Sequence, residues 1–203
     1  MSPESIDVDL IDQVVGIAPG DPLDTIRRAR PVARDQVQAA EQALFETDTN
    51  DIPRDQRWLV GAFVTALTVP GTPLDEHRRA GLDPDRAVLL EQLLSSAPDQ
   101  GPRGSYREPG LATESQPVER WLVPDDVRAQ LGEPLAAVVE HAHLLVIHPR
   151  DSRPAVLGRL VEAGWTRQQV VTWSQLVAFT SFQTRVVTGL TALKQNPGTE
   201  QAA

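Results

Sequence analysis

Along this chain apolar residues recur at intervals of three and four, the spacing of a helix face, and the longest such run lies between Thr166 and Leu193. Val170, Trp173, Leu176, Val177, Phe179, Phe182, Val186, Leu190 and Leu193 cover more than one face of that segment, and no charge falls between Gln168 and Thr184. The pattern predicts a long buried helix with neighbours on several sides. Its start is marked twice: Thr166 and Gln169 have capping-box spacing, and Trp165 and Val170 stand at the flanking staple positions. Thr172, Ser174, Gln175, Ser181 and Gln183 interrupt the run, so it is not a membrane span, which needs about 20 mainly apolar residues.

The same spacing predicts helices along the rest of the chain. Val8 to Ile17 reads as a short amphipathic segment ending in the turn chemistry of Ala18-Pro19-Gly20-Asp21-Pro22. A short helix over Asp24 to Ala29 precedes a better one from Pro31 through Phe45, with Val32, Val37, Ala40 and Leu44 on one stripe. Pro53 opens a second core helix carrying Trp58, Leu59, Ala62, Phe63, Ala66 and Leu67. Further helices run from Thr72 to a stop at Gly81, from Asp83-Pro84 through Leu94, and from Pro124 to Leu131. Pro134 opens one through Ile147 with Leu135, Val138, Val139, Ala142, Leu145 and Val146 as its stripe, and Pro154 opens one to Ala163. No period-two alternation bounded by turn residues competes, so the fold class is all-α.

Residues 97–117, APDQGPRGSYREPGLATESQP, are rich in proline, glycine and polar side chains and read as a long surface connection, either a lid or a joint. The expected organisation is an N-terminal segment over 1–17 and a single helical domain over 18–194. Its halves, 18–96 and 118–194, are joined by the 97–117 loop, and a disordered tail follows over 195–203.

Composition narrows the function classes. A formal charge of −9 and a pI near 4.9 argue against a nucleic-acid surface, which needs clustered Lys and Arg. The chain has no cysteine, which removes disulfides, thiolate metal sites and thiol catalysis. The N-terminus MSPESIDVDLID lacks a basic region followed by an apolar core, so the expectation is a soluble cytoplasmic protein without a signal peptide or a membrane partner.

Four groups are candidates for chemistry. His77 lies among charges in DEHRRAG, either as a surface helix residue or as a base. His141, His143 and His148 lie off the apolar stripe of their helix. Residues two apart point in different directions, whereas His141 and His148, seven apart, share a face but lack a carboxylate, so no metal site is expected. Arg185 is the one charge between Arg167 and Lys194 on a helix that reads as buried. It needs a carboxylate of this chain, a subunit neighbour or an anionic ligand. Gln175 and Gln183 either bond backbone across an interface or line a pocket. Trp58, Trp121, Trp165 and Trp173 read as packing anchors in a chain with only 4% aromatic residues.

The segments AGWTRQQVVTWSQLVAFTSFQTRVVTGLTAL and RDQRWLVGAFVTAL, with EHRRAG, resemble the carboxymuconolactone decarboxylase and alkylhydroperoxidase D-like (CMD/AhpD-like) superfamily. The likeness runs from about Ala18 to Leu193 and points to a cysteine-free CMD-domain branch. It implies helices in antiparallel pairs around the long C-terminal helix. It also implies a homo-oligomer, often a trimer or a multiple of one, with a related CMD-like subunit as a possible partner. The redox members use a glutamate, a Cys-x-x-Cys pair and a histidine after three further residues. Laid on this chain with His77 as the histidine, the pattern puts Pro70 and Pro73 at the cysteines and Trp58 at the glutamate. Proline neither attacks a peroxide nor resolves a sulfenic acid, so thiol peroxidase activity is excluded. Two expectations follow, neither calling for a cofactor. One is an oligomeric binding or accessory protein for a small organic ligand. The other is a decarboxylase- or isomerase-type acid/base enzyme in which His77 or His141 is the base and Arg185 holds a substrate carboxylate.

Overall fold

A computed structural model describes residues 9–48, 51–101, 103–116 and 119–196. Among them the only β-contact is an isolated antiparallel bridge between Gly104 and Gln116, and the chain is otherwise helical, as its periodicity predicts. The N-terminal part comprises α1 (Leu10–Val15), α2 (Pro22–Arg28), α3 (Pro31–Glu41), α4 (Arg54–Thr68), α5 (Pro73–Ala80) and α6 (Pro84–Ser96). Past the 97–117 region come α7 (Asp125–Leu131), α8 (Glu133–Ile147), α9 (Pro154–Glu162) and α10 (Arg167–Gln195). The expected caps are in place. Thr72, Asp83 and Thr166 each accept from a backbone N–H in the first turn, and Thr166 with Gln169 completes the capping box.

The centre of the fold is α4, not α10. Every residue from Arg57 to Leu67 is buried, because α10, α8, α5 and α6 all pack around this one helix. Helix α8 is nearly as enclosed, and α10 lies across both. The buried positions of α10 all fall on one side: Val170, Thr172, Trp173, Leu176, Val177, Thr180, Gln183, Thr184 and Val187. Burial on several sides is therefore a reading that needs correction, since Phe182 and Leu193 remain 48% and 57% exposed. Nothing from the described residues covers the outer face of the helix.

A second, smaller core joins the N-terminal segment to the far end of α10, where Leu10, Ile11, Val15 and Ile17 meet Leu74 and Val187. The Lys194 ammonium donates to the carbonyls of Val15 and Gly16 at the end of α1, the favourable end of a helix for a cation. Asp9 and Asp12, both buried, are held by Arg27 and Arg34.

The helix expected through Phe45 widens into a π turn, Gln42–Glu46. Its last carbonyls are taken by α4: Arg57 donates to the Leu44 carbonyl at 2.7 Å and Trp58 Nε1 to the Phe45 carbonyl at 3.2 Å. No following helical N–H reaches carbonyls at a helix end, so these buried donors satisfy them and dock the turn on α4. The 97–117 connection is anchored to the fold. Arg103 N donates to the Ile147 carbonyl at 2.7 Å, Arg150 stacks on Tyr106, and a short 3₁₀ helix, Pro109–Glu114, lies in the chain between the two bridged residues. The expected tail lies outside the described residues from 197 onward.

Candidate functional site

Where the C-terminal end of α8 and the turn after it meet the middle of α10, a cavity of about 330 Å³ is walled by Leu145, Val146, Pro149, Val177, Ala178 and Ser181. Arg185 stands at its edge. The expectation of a buried Arg185 is corrected: its side chain is exposed, and Nη1 donates to the Ser181 carbonyl at 3.0 Å. Position 185 falls on the outward side of α10 with Ala178 and Phe182, so the charge keeps its water and needs no partner within the chain. Its remaining donors are open to an anion beside an apolar wall.

The two glutamines part company. Gln175 is exposed on the outer side of α10, whereas Gln183 is buried in a polar cluster that joins three helices. There Arg78 of α5 makes a bidentate pair with Glu41 of α3, at 2.7 and 2.6 Å. Gln183 Oε1 accepts from Arg78 at 3.1 Å and its Nε2 donates to Glu41 at 3.1 Å. The Arg78 guanidinium also lies 3.6 Å over the Phe45 ring. The buried arginine is thus Arg78, which the sequence shows only as one cation in a charged run. With its charge matched and its fork occupied it ties helices together and has little left for a ligand.

Beside it, His77 is half-buried with its ring 5.7 Å from that of Trp58. Burial, and then the neighbouring Arg78, lower its pKa, so the ring is neutral near pH 7. A shallow cavity of about 300 Å³ adjoins the other side of Trp58, lined by Arg54, Asp55, Gly81, Leu82, Asp83 and Arg86. Both of its arginines are engaged with carboxylates, Arg54 with Glu46 at 2.9 Å and Arg86 with Asp55 at 2.6 Å.

The three histidines near the end of α8 lie inside the fold, although they are off its apolar stripe, because α8 is enclosed on most sides. His141 Nε2 lies 3.0 Å from Ser174 Oγ, and Ser174 Oγ donates to the Val170 carbonyl at 2.9 Å. The serine proton is spent there, so the bond runs from a neutral Nε2–H to Ser174 and leaves Nδ1 bare. Burial pushes the His141 pKa down to about 4.

His143 donates to the Pro98 carbonyl at 2.8 Å, and its ring lies 4.9 Å from Trp121 and 5.8 Å from His148. His148 does not share a face with His141, because α8 ends at Ile147 and the backbone of His148 (φ −132°, ψ 50°) leaves the helical path. No cluster of three metal-ligating side chains occurs among the described residues. None of the helices described is long and apolar enough to cross a membrane.

No protein-family model, curated protein or solved structure matches the chain. Its site must be judged from its own geometry. Of the predicted residues, Arg185 lines the α8–α10 cavity with its apolar wall, while His77 and His141 pack against Trp58 and Ser174 and do not line that cavity. Sequence reasoning missed Arg78 and Glu41, whose separation of 37 residues leaves no local signal of their pairing.

Proposed function

We propose that this protein is a cysteine-free CMD/AhpD-like protein that binds a small organic anion in the cavity between α8 and α10, as an oligomeric binding or accessory protein and without thiol peroxidase chemistry. One observation carries the reading: an apolar cavity of about 330 Å³ in which Arg185 is the only charged lining residue among the described residues. Apolar walls with a few placed polar groups are the usual make-up of a small-molecule site, and an arginine fork selects a carboxylate. The family reading rests on the resembling segments; with His77 laid at the family histidine, Trp58 replaces the redox glutamate, and the two rings are 5.7 Å apart. The acid/base-enzyme alternative needs His77 or His141 beside the bound carboxylate, and its weaker support is that His141 and Ser174 each sit one helical turn before a cavity residue, Leu145 and Ala178.

Saturation-transfer NMR and calorimetry with benzoate, hexanoate and benzamide test the proposal. The two carboxylates should bind, and benzamide should bind roughly five- to tenfold more weakly, as should benzoate to Arg185→Gln, the scale of one exposed charge-assisted contact. Equal affinity for benzoate and benzamide, or an unaffected Arg185→Gln variant, would overturn it.

A further inference from the structure

The outer face of α10 has an order of its own. Val171, Gln175, Ala178, Phe182, Arg185 and Gly189 follow one another at steps of four, three, four, three and four, and all six are exposed. These steps average 3.6 residues, the period of the α-helix, so the six side chains form a nearly straight seam, about 27 Å long at 1.5 Å per residue. Val171 is 56% and Phe182 48% exposed. Helix α10 contains no Asp or Glu in a chain that carries 28 of them, so two copies of this helix laid together bring no carboxylates face to face.

We infer that this seam packs against the same seam of a second copy of the chain, with the two α10 helices antiparallel about a two-fold axis passing midway between Ala178 and Phe182. In that register each Phe182 faces the partner's Ala178, each Val171 faces the partner's Gly189, and each Arg185 faces the partner's Gln175. Large side chains meet small ones, and one further Arg185 donor meets an amide oxygen while the others stay free for the cavity. A parallel pairing would set Phe182 on Phe182 and Arg185 on Arg185, leaving one void at Gly189 and one repulsion. A two-fold contact is isologous, so each such pair offers the same surface twice. This face therefore builds dimers or even-numbered assemblies; a trimer would need a different surface. Ala178 and Arg185 also line the α8–α10 cavity, so the partner's helix would wall its mouth. The pairing itself stands whether or not that cavity holds an anion.

Sedimentation velocity over a concentration series tests the interface without any ligand. The wild-type chain should dimerise reversibly, and Phe182→Glu should weaken the dimer at least about thirtyfold, the scale of losing one central aromatic anchor. Gln175→Glu should tighten it, because each new carboxylate would face Arg185. Since the chain has no cysteine, Gln175→Cys and Arg185→Cys variants mixed and oxidised should give a disulfide between unlike chains. A wild-type monomer at all concentrations, a Gln175→Glu dimer weaker than wild type, or disulfides only between like chains would each overturn the inference.

Discussion

His141 allows a quantitative test of how α8 is buried. Its ring is 2% exposed and its pKa is pushed down to about 4, against an ordinary histidine value of 6.5. The unfolded chain therefore binds a proton that the folded chain refuses between those two values. Stability from this group is complete above pH 6.5 and falls as the pH drops toward 4. The full loss is on the order of 3 kcal/mol, since each tenfold fall in proton affinity is worth about 1.4 kcal/mol. At pH 5 the part already lost is about 2 kcal/mol. Removing the ring should remove this dependence. In His141→Leu the Ser174 hydroxyl keeps its bond to the Val170 carbonyl, so the variant should lie within about 1 kcal/mol of wild type at pH 7. At pH 5 it should gain about 2 kcal/mol relative to wild type. Burial lowers the other three histidines as well, and the difference between the two proteins cancels their shared slope. Urea denaturation at the two pH values measures the difference, and imidazole carbon shifts should show His141 neutral at pH 5 in the folded wild type. If the gap between the proteins moves by less than about 0.5 kcal/mol, His141 takes its proton inside the fold, and the argument from burial fails.

The polar cluster and the tight glycine give two further tests. Arg78→Met leaves the buried Glu41 carboxylate without its cation and should cost about 3–5 kcal/mol in urea denaturation, while adding Glu41→Leu should recover most of it. A single variant costing under about 1 kcal/mol would mean that the pair reaches water. At Gly81 an added Cβ would stand 2.1 Å from Cζ3 of Trp58, so Gly81→Ala should destabilise by about 1–3 kcal/mol and change tryptophan emission. An unchanged melting temperature would show that the indole has room to turn.

The helices are legible in the sequence because their signals are local. Proline at the first turn of α5, α6, α8 and α9, the capping residues Thr72, Asp83 and Thr166, and glycine at the end of α1 can each be read within a few residues. What is not legible depends on distant groups. The docking of the Gln42–Glu46 turn, whose Leu44 and Phe45 carbonyls take donors from Arg57 and Trp58 13 positions on, is announced by no local propensity. The Arg78 cluster joins residues 37 and 105 positions away, and in sequence its arginine is indistinguishable from a solvated one. The histidines of α8 lie off its apolar stripe, a position that means solvent for a helix with one buried face and misleads for a helix enclosed on most sides.

Helix α10 shows why the sequence misplaces Arg185 in particular. A helix without carboxylates and with few charges has the composition of a buried element, and composition does not say what buries it. Two heptad-spaced seams run along it on opposite sides: Val170, Trp173, Val177, Thr180, Thr184 and Val187 face the rest of the chain, while Val171, Gln175, Ala178, Phe182, Arg185 and Gly189 face outward. Reading both seams as core gives Arg185 a buried charge that needs an internal partner. Assigning only the inner seam to this chain leaves the arginine at a cavity edge and in a row where its opposite number is an amide. Exposed apolar side chains forgo about 25 cal/mol for each Å² kept in water, so a seam holding Val171 and Phe182 stabilises the protein only when another surface covers it. Under the inferred two-fold pairing, the low charge of α10 has two causes, the fold on one side and a second copy on the other.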